Sequence, residues 1–245
     1  MKQLLSIGTN AKTSKGDRYG FLTGVLYLAP SDISGEQVCP MAKTAGCESA
    51  CLYSAGRGAF SNVQQARINK THRFFWDRDN FMSDLVKSIK SLIMKAEKTH
   101  MIPLVRLNGT SDIRWENVIF RHEGKLVNIF EVFPHTQFYD YTKISNRKDI
   151  PANYDLTFSY SGLREFLPHV EKAKLAGMRI ATVFRKREDI PSEFMGLECV
   201  DGDDSDIRHL DPQGVIVALY AKGKAKSDAS GFVVDRKIIP IRLAA

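Results

Sequence analysis

The sequence predicts an α/β fold, in the first place an incomplete or irregular (β/α) barrel, with a doubly wound open sheet as the alternative. Three observations lead there. Short apolar runs rich in β-branched and aromatic residues alternate with stretches of helical periodicity. Polar and charged residues recur just after those runs, where α/β proteins bind ligands. No glycine-rich dinucleotide fingerprint appears, which places the doubly wound sheet second.

The elements follow in order. Residues 21–29 (FLTGVLYLA) read as a first strand, followed by a cysteine-rich loop at residues 39–58. Residues 61–75 and 81–99 read as helices; the second places Phe81, Leu85, Ile89, Leu92, Ile93 and Ala96 at helical spacing with lysines opposite. Further strands are expected at 102–107, 137–141, 156–160, 179–184, 197–200 and 215–220, with a helix at 165–176 closed by Gly177. Seven strands approach the eight of a closed barrel, and alternation with helices predicts parallel pairing. The whole chain, 1–245, reads as one α/β domain.

Composition narrows the function classes. No apolar run approaches the ~20 residues needed to span a bilayer, and the first residues, MKQLLS, are too short and polar for a signal peptide. A cytoplasmic protein is therefore expected, with no membrane partner. The net charge of +7, from 35 basic and 28 acidic side chains, favours a polyanionic partner, nucleic acid and DNA above all.

Of four cysteines, Cys39, Cys47 and Cys51 lie in one segment, CPMAKTAGCESAC. In a reducing compartment clustered cysteines point to metal. Cys47 and Cys51, at i and i+4, would share one face of a helix, with Cys39 reaching them from the loop. Three thiolates hold three irons of a [4Fe–4S] cluster and leave the fourth open; with one more ligand, His72 or Cys199, they make a tetrahedral zinc site. Downstream, the glycine turn YSAGRG and Arg57 suit an anion.

The strand ends supply catalytic candidates. Asp112 follows a strand and a glycine turn, and a carboxylate there serves as nucleophile or general base. Asn108 and Ser111 add polar groups at the same place, and Trp115 offers a wall for a planar substrate. In the acidic run DGDDSD, which includes Asp203 and Asp206, Asp201 and Asp204 are the catalytic candidates. Lys143, Ser161, Arg185 and Lys222 follow strands and are expected to bind substrate. Arg57 and Lys224 are expected to bind phosphate, on a basic rim that also includes Arg67, Lys70, Arg73, Lys186, Arg187 and Lys226.

Several of these segments resemble a widespread group of bacteriophage proteins: LSIGTNAKTSKG, LYLAP, CPMAKTAGC, CLYSAGRGAF, QQARINKTHRFF, VRLNGTSDI, the YTK at 141–143 and AKGKAKSDASGFVVD. The resemblance implies a phage-encoded protein. More distantly, the chain is similar to the guanine transglycosylases, phage members of which exchange guanine in DNA for a 7-deazaguanine base. That likeness implies a barrel, a structural zinc, and Asp112 or one of the 201–204 aspartates as nucleophile. The cysteine spacing departs from theirs, and from the C-x3-C-x2-C loop of radical S-adenosylmethionine enzymes. Its position after the first strand is similar to the latter. Three functions are thus expected: a DNA base-modifying transglycosylase first, then an iron–sulfur enzyme, then a non-enzymatic factor that binds nucleic acid or host protein. Zinc is the first cofactor, a [4Fe–4S] cluster the second.

Overall fold

The computed structural model describes residues 3–8, 18–51, 53 and 56–235. Motif residues 9–16, residue 52, and residues 54 and 55 of the glycine turn lie outside them. The chain forms β1 (Leu5–Ile7), β2 (Phe21–Leu26), α1 (Ser61–Trp76), α2 (Arg78–Lys98), β3 (Ile102–Arg106), a hairpin of β4 (Phe120–His122) and β5 (Lys125–Val127), and α3 (Ile129–Val132). There follow β6 (Gln137–Thr142), β7 (Tyr154–Ser159), α4 (Leu167–Leu175), β8 (Ile180–Phe184), β9 (Glu193–Phe194), β10 (Leu197–Asp201) and β11 (Ile216–Tyr220).

All seven expected strands are present and run parallel to one another. They form the centre of a nine-stranded sheet in the order β1-β2-β3-β6-β7-β8-β11-β10-β9. The sheet does not close into the expected barrel. Closure requires the last strand to hydrogen-bond to the first, whereas β1 and β9 pair antiparallel at opposite edges. The final crossover also turns back, inserting β11 between β8 and β10. The open sheet is therefore the alternative that matches.

The parallel register sorts side chains onto two faces. Leu22, Val105, Phe138, Phe158, Ile180 and Ile216 share one. On it, Leu85, Ile89 and Leu92 of α2 pack with Leu22, Val105 and Phe138. Val170 and Ala173 of α4 pack with Phe158, Ile180 and Ile216. Each fully buried leucine or isoleucine contributes about 1.5–3 kcal/mol, enough to set the orientation of both helices. Gly177, at φ +68, ends the α4 segment as expected.

The opposite face is different. It presents Arg106, Tyr141, Ser159, Ala181, Val183 and Leu219, all of which line one space. These mixed side chains leave space, and two loops cover it.

Candidate functional site

That space is a cavity of about 380 Å³ at the carboxyl ends of β3, β6, β7, β8 and β11. Its size suits a small organic ligand. One cover is the cysteine loop, the other the segment after β11 through Lys222, Ala225 and Phe232. Cys39, Cys47 and Cys51 all line the cavity. They also line a second space of about 320 Å³ on the far side of the same loop, with Tyr53, Gln64 and Lys224. The thiols thus stand in a wall between two cavities.

The wall is tied in place from several elements. Asp112 N donates to Val38 O at 2.8 Å just before Cys39, and Cys39 Sγ donates to Thr110 O at 3.7 Å. Ser161 Oγ donates to Ala45 O at 2.7 Å, and Ser230 Oγ to Gly46 O at 3.0 Å. The helix expected for Cys47 and Cys51 does not form. Residues 40–46 make consecutive turns, and Gly46 at φ +61 reverses the chain between Met41 and Cys47.

Burial pushes the Cys39 thiol up to about 12 and raises Cys47 and Cys51 as well. All three therefore hold their protons in the metal-free protein, and a metal centre would displace them. Among the described residues no three His, Cys, Asp or Glu side chains converge on a point where one metal ion would sit. A cubane makes a different demand, because each thiolate binds its own iron and the ligands surround a volume. A donor set of three soft thiols around a common cavity fits that demand.

Neither expected fourth ligand joins them. His72 Nε2 is bonded to Ser34 O at 2.8 Å, and its ring stacks on Trp76. Cys199 lies on β10 and packs with the opposite face of the sheet, among Phe158 and Ile216.

Asn108, Ser111, Asp112, Lys143 and Lys222 reach the cavity wall. Asn108 is chiefly a hub for its own turn. Its Oδ1 accepts from Ser111 Oγ, Ile113 N and Trp115 Nε1 at 2.9, 3.0 and 3.1 Å. Trp115 is consequently fully buried in the core rather than walling the cavity. Asp112 Oδ2 accepts from Lys143 N at 2.7 Å. Its Oδ1 is buried, 3.9 Å from Arg147, and has no hydrogen-bond partner among the described residues. Burial raises the Asp112 pKa and lowers that of Lys143. Lys143 Nζ donates to Ser159 Oγ at 3.0 Å and to the Ser159 and Tyr160 carbonyls. Its charge faces Cys47, Asp112 and Cys39.

The remaining candidates are placed elsewhere. Asp201 pairs with Arg187 at 2.7 Å, and Asp204 accepts from Tyr19 at 2.6 Å. Their neighbours Asp203 and Asp206 line the cavity instead, Asp203 paired with Lys222. Ser161 serves the cysteine loop. Arg185 grips the second cover, donating to the carbonyls of Ala225, Lys226 and Asp228. Arg57 is exposed on a short 3-10 turn, and Lys224 is exposed at the second cavity. The alternation of Asp201, Asp203, Asp204 and Asp206 between outside and inside has no periodic signal in sequence.

Arg106 was not among the expected site residues. Its guanidinium donates to Asp206 at 2.9 Å, lies 3.8 Å from Asp140, and sits over the Tyr139 and Tyr141 rings on the cavity floor. A charged residue inside the apolar run IPLVRL was the available signal, since such a residue is buried only with partners.

No curated protein and no solved structure matches the chain. A family model described as gene product 88 matches residues 3–236, supporting the resemblance to a phage protein group. A chain matched over that span belongs to the gene product 88 family.

Proposed function

We propose that this protein is an iron–sulfur enzyme in which Cys39, Cys47 and Cys51 would hold three irons of a [4Fe–4S] cluster and leave the fourth open to a ligand. One observation carries the reading: three thiols of a single loop wall a ligand-sized cavity at the carboxyl edge of a parallel sheet. When bound, such a cluster supplies one-electron chemistry to a ligand beside it. The chain's own residues would do the rest. The two covers narrow the mouth of the cavity, Asn108 and Asp112 fix the turn that supports Cys39, and Arg106 with Tyr141 shapes the floor. The exposed Lys224 and Lys226 near the second cover favour a phosphate-bearing substrate.

Base exchange by a carboxylate nucleophile is less well supported. Asp112 accepts from Lys143 N through Oδ2, Asp203 pairs with Lys222, and Asp201 and Asp204 point to Arg187 and Tyr19.

The test is anaerobic reconstitution of the full chain, with iron and acid-labile sulfide measured against protein. About four of each per chain and a brown charge-transfer band are expected, lost together in Cys39→Ala, Cys47→Ala or Cys51→Ala. A colourless protein with stoichiometric zinc, or iron binding indifferent to the three substitutions, refutes the proposal.

A further inference from the structure

Arg67 stands on the buried face of α1 with only 8% of its surface exposed. Among the described residues no Asp or Glu faces it. Its Nη1 donates to the Tyr53 carbonyl at 3.3 Å, its Nε has no hydrogen-bond partner among the described residues, and the rings of Tyr27 and Tyr53 lie beneath it at 4.8 and 5.3 Å. One turn further along α1, Lys70 adds a second cation, its Nζ donating to Leu4 O at 3.5 Å.

This arrangement is costly in isolation. A buried charge without a counter-charge costs several kcal/mol. Like charges three residues apart on a helix repel, and a guanidinium keeps its proton at any ordinary pH. The acidic groups that Arg67 faces are the Tyr27 and Tyr53 phenols and the Cys51 thiol, and of these the thiol is the one that gives up its proton on binding metal. The carbonyl that it holds belongs to Tyr53, two residues past Cys51, so it also fixes the chain that leaves this thiol. On the sheet side of the wall, Lys143 faces Cys47 and Cys39.

We propose that Arg67, seconded by Lys70, is the counter-cation of the cluster-bound Cys51 thiolate, answering from α1 the charge that Lys143 answers from the sheet. The proposal rests on the cluster reading of the cavity. Arg67 is a positioning residue, since it touches neither the cavity nor a reacting atom. A fixed cation favours the more negative state of its neighbour, so these side chains ease addition of one electron to the oxidised cluster.

The measurement is a spectroelectrochemical titration of reconstituted full-length protein with a mediated external electron source. Arg67→Gln is expected to load the same iron and sulfide, with its reduction equilibrium moved about tenfold against the reduced form, or about 59 mV for a one-electron couple. Arg67→Lys retains the charge and should stay within about threefold of the wild type. Lys70→Gln should move the equilibrium in the same direction as Arg67→Gln, by less. An unchanged potential in loaded Arg67→Gln overturns the proposal, as does an equal shift in Arg67→Lys. If Arg67→Gln does not fold, an unchanged potential in Lys70→Gln overturns it on its own. Wild-type protein that takes up no iron refutes the cluster reading and this proposal together. Wild-type protein that loads but is indifferent to charge at residues 67 and 70 refutes only the latter.

Discussion

Asn108→Ala tests whether the RLNGTSD turn is held from within or waits for a ligand. In the native turn Asn108 Oδ1 satisfies three donors, and Nδ2 donates to Ile113 O at 2.9 Å. Alanine removes all of these bonds. Ser111 Oγ can rotate to another acceptor, but Ile113 N and the fully buried Trp115 Nε1 are left without partners. An orphaned buried donor costs about 1–3 kcal/mol, so the two together should cost about 4 kcal/mol, a large part of a domain's ~5–15 kcal/mol. The assay is equilibrium urea unfolding followed by tryptophan fluorescence. Of the two tryptophans, Trp76 is 69% exposed, so the signal change reports Trp115. Asn108→Asp is the control. It keeps an acceptor for all three donors and sets an oxygen against Ile113 O, for a smaller loss of about 1–3 kcal/mol. A loss below about 1 kcal/mol in Asn108→Ala would falsify the hub account and return Asn108 to ligand binding.

Two further outcomes are expected. Burial and the neighbouring Arg67 hold Lys70 down to about 8 from an ordinary 10.5, so between these values the unfolded chain binds a proton that the folded chain has shed. Stability from this group therefore rises with pH across that window, and in the metal-free protein Lys70→Met should be more stable than the wild type at pH 7 by about 1–3 kcal/mol, the gap closing near pH 10.5. Urea midpoints at the two pH values check it, and a gap that does not change with pH rules it out. Arg185→Ala removes the grip on three carbonyls of the second cover. Amide exchange over residues 222–234 should quicken about tenfold while β6 to β8 keep their protection; unchanged exchange would show that the cover is held by other contacts.

Much of the fold was legible because buried parallel strands are written as apolar runs. FLTGVL, IPLVR and IVALY announce β2, β3 and β11 without reference to any partner. The short elements carried no such signal. β1 and β9 have three and two residues, too few for a period, yet as edge strands they decide that the sheet stays open. The cysteines were legible as a group, but not their backbone. An i, i+4 spacing suggested helix where Gly46 imposes a turn.

By itself, the sequence determined the α/β class, the seven parallel strands and the three thiols in a loop after the first of them. These follow from local periodicity and spacing, which need no knowledge of what lies across the sheet. The tertiary structure decided which strand ends share a cavity, that Asp203 and Asp206 face it while Asp201 and Asp204 turn away, and that Arg67 is buried against the Tyr53 carbonyl at the end of the cysteine loop. Those outcomes depend on strand order and on the packing of loops from distant parts of the chain, and a charge acquires its partner only when the fold brings one within reach.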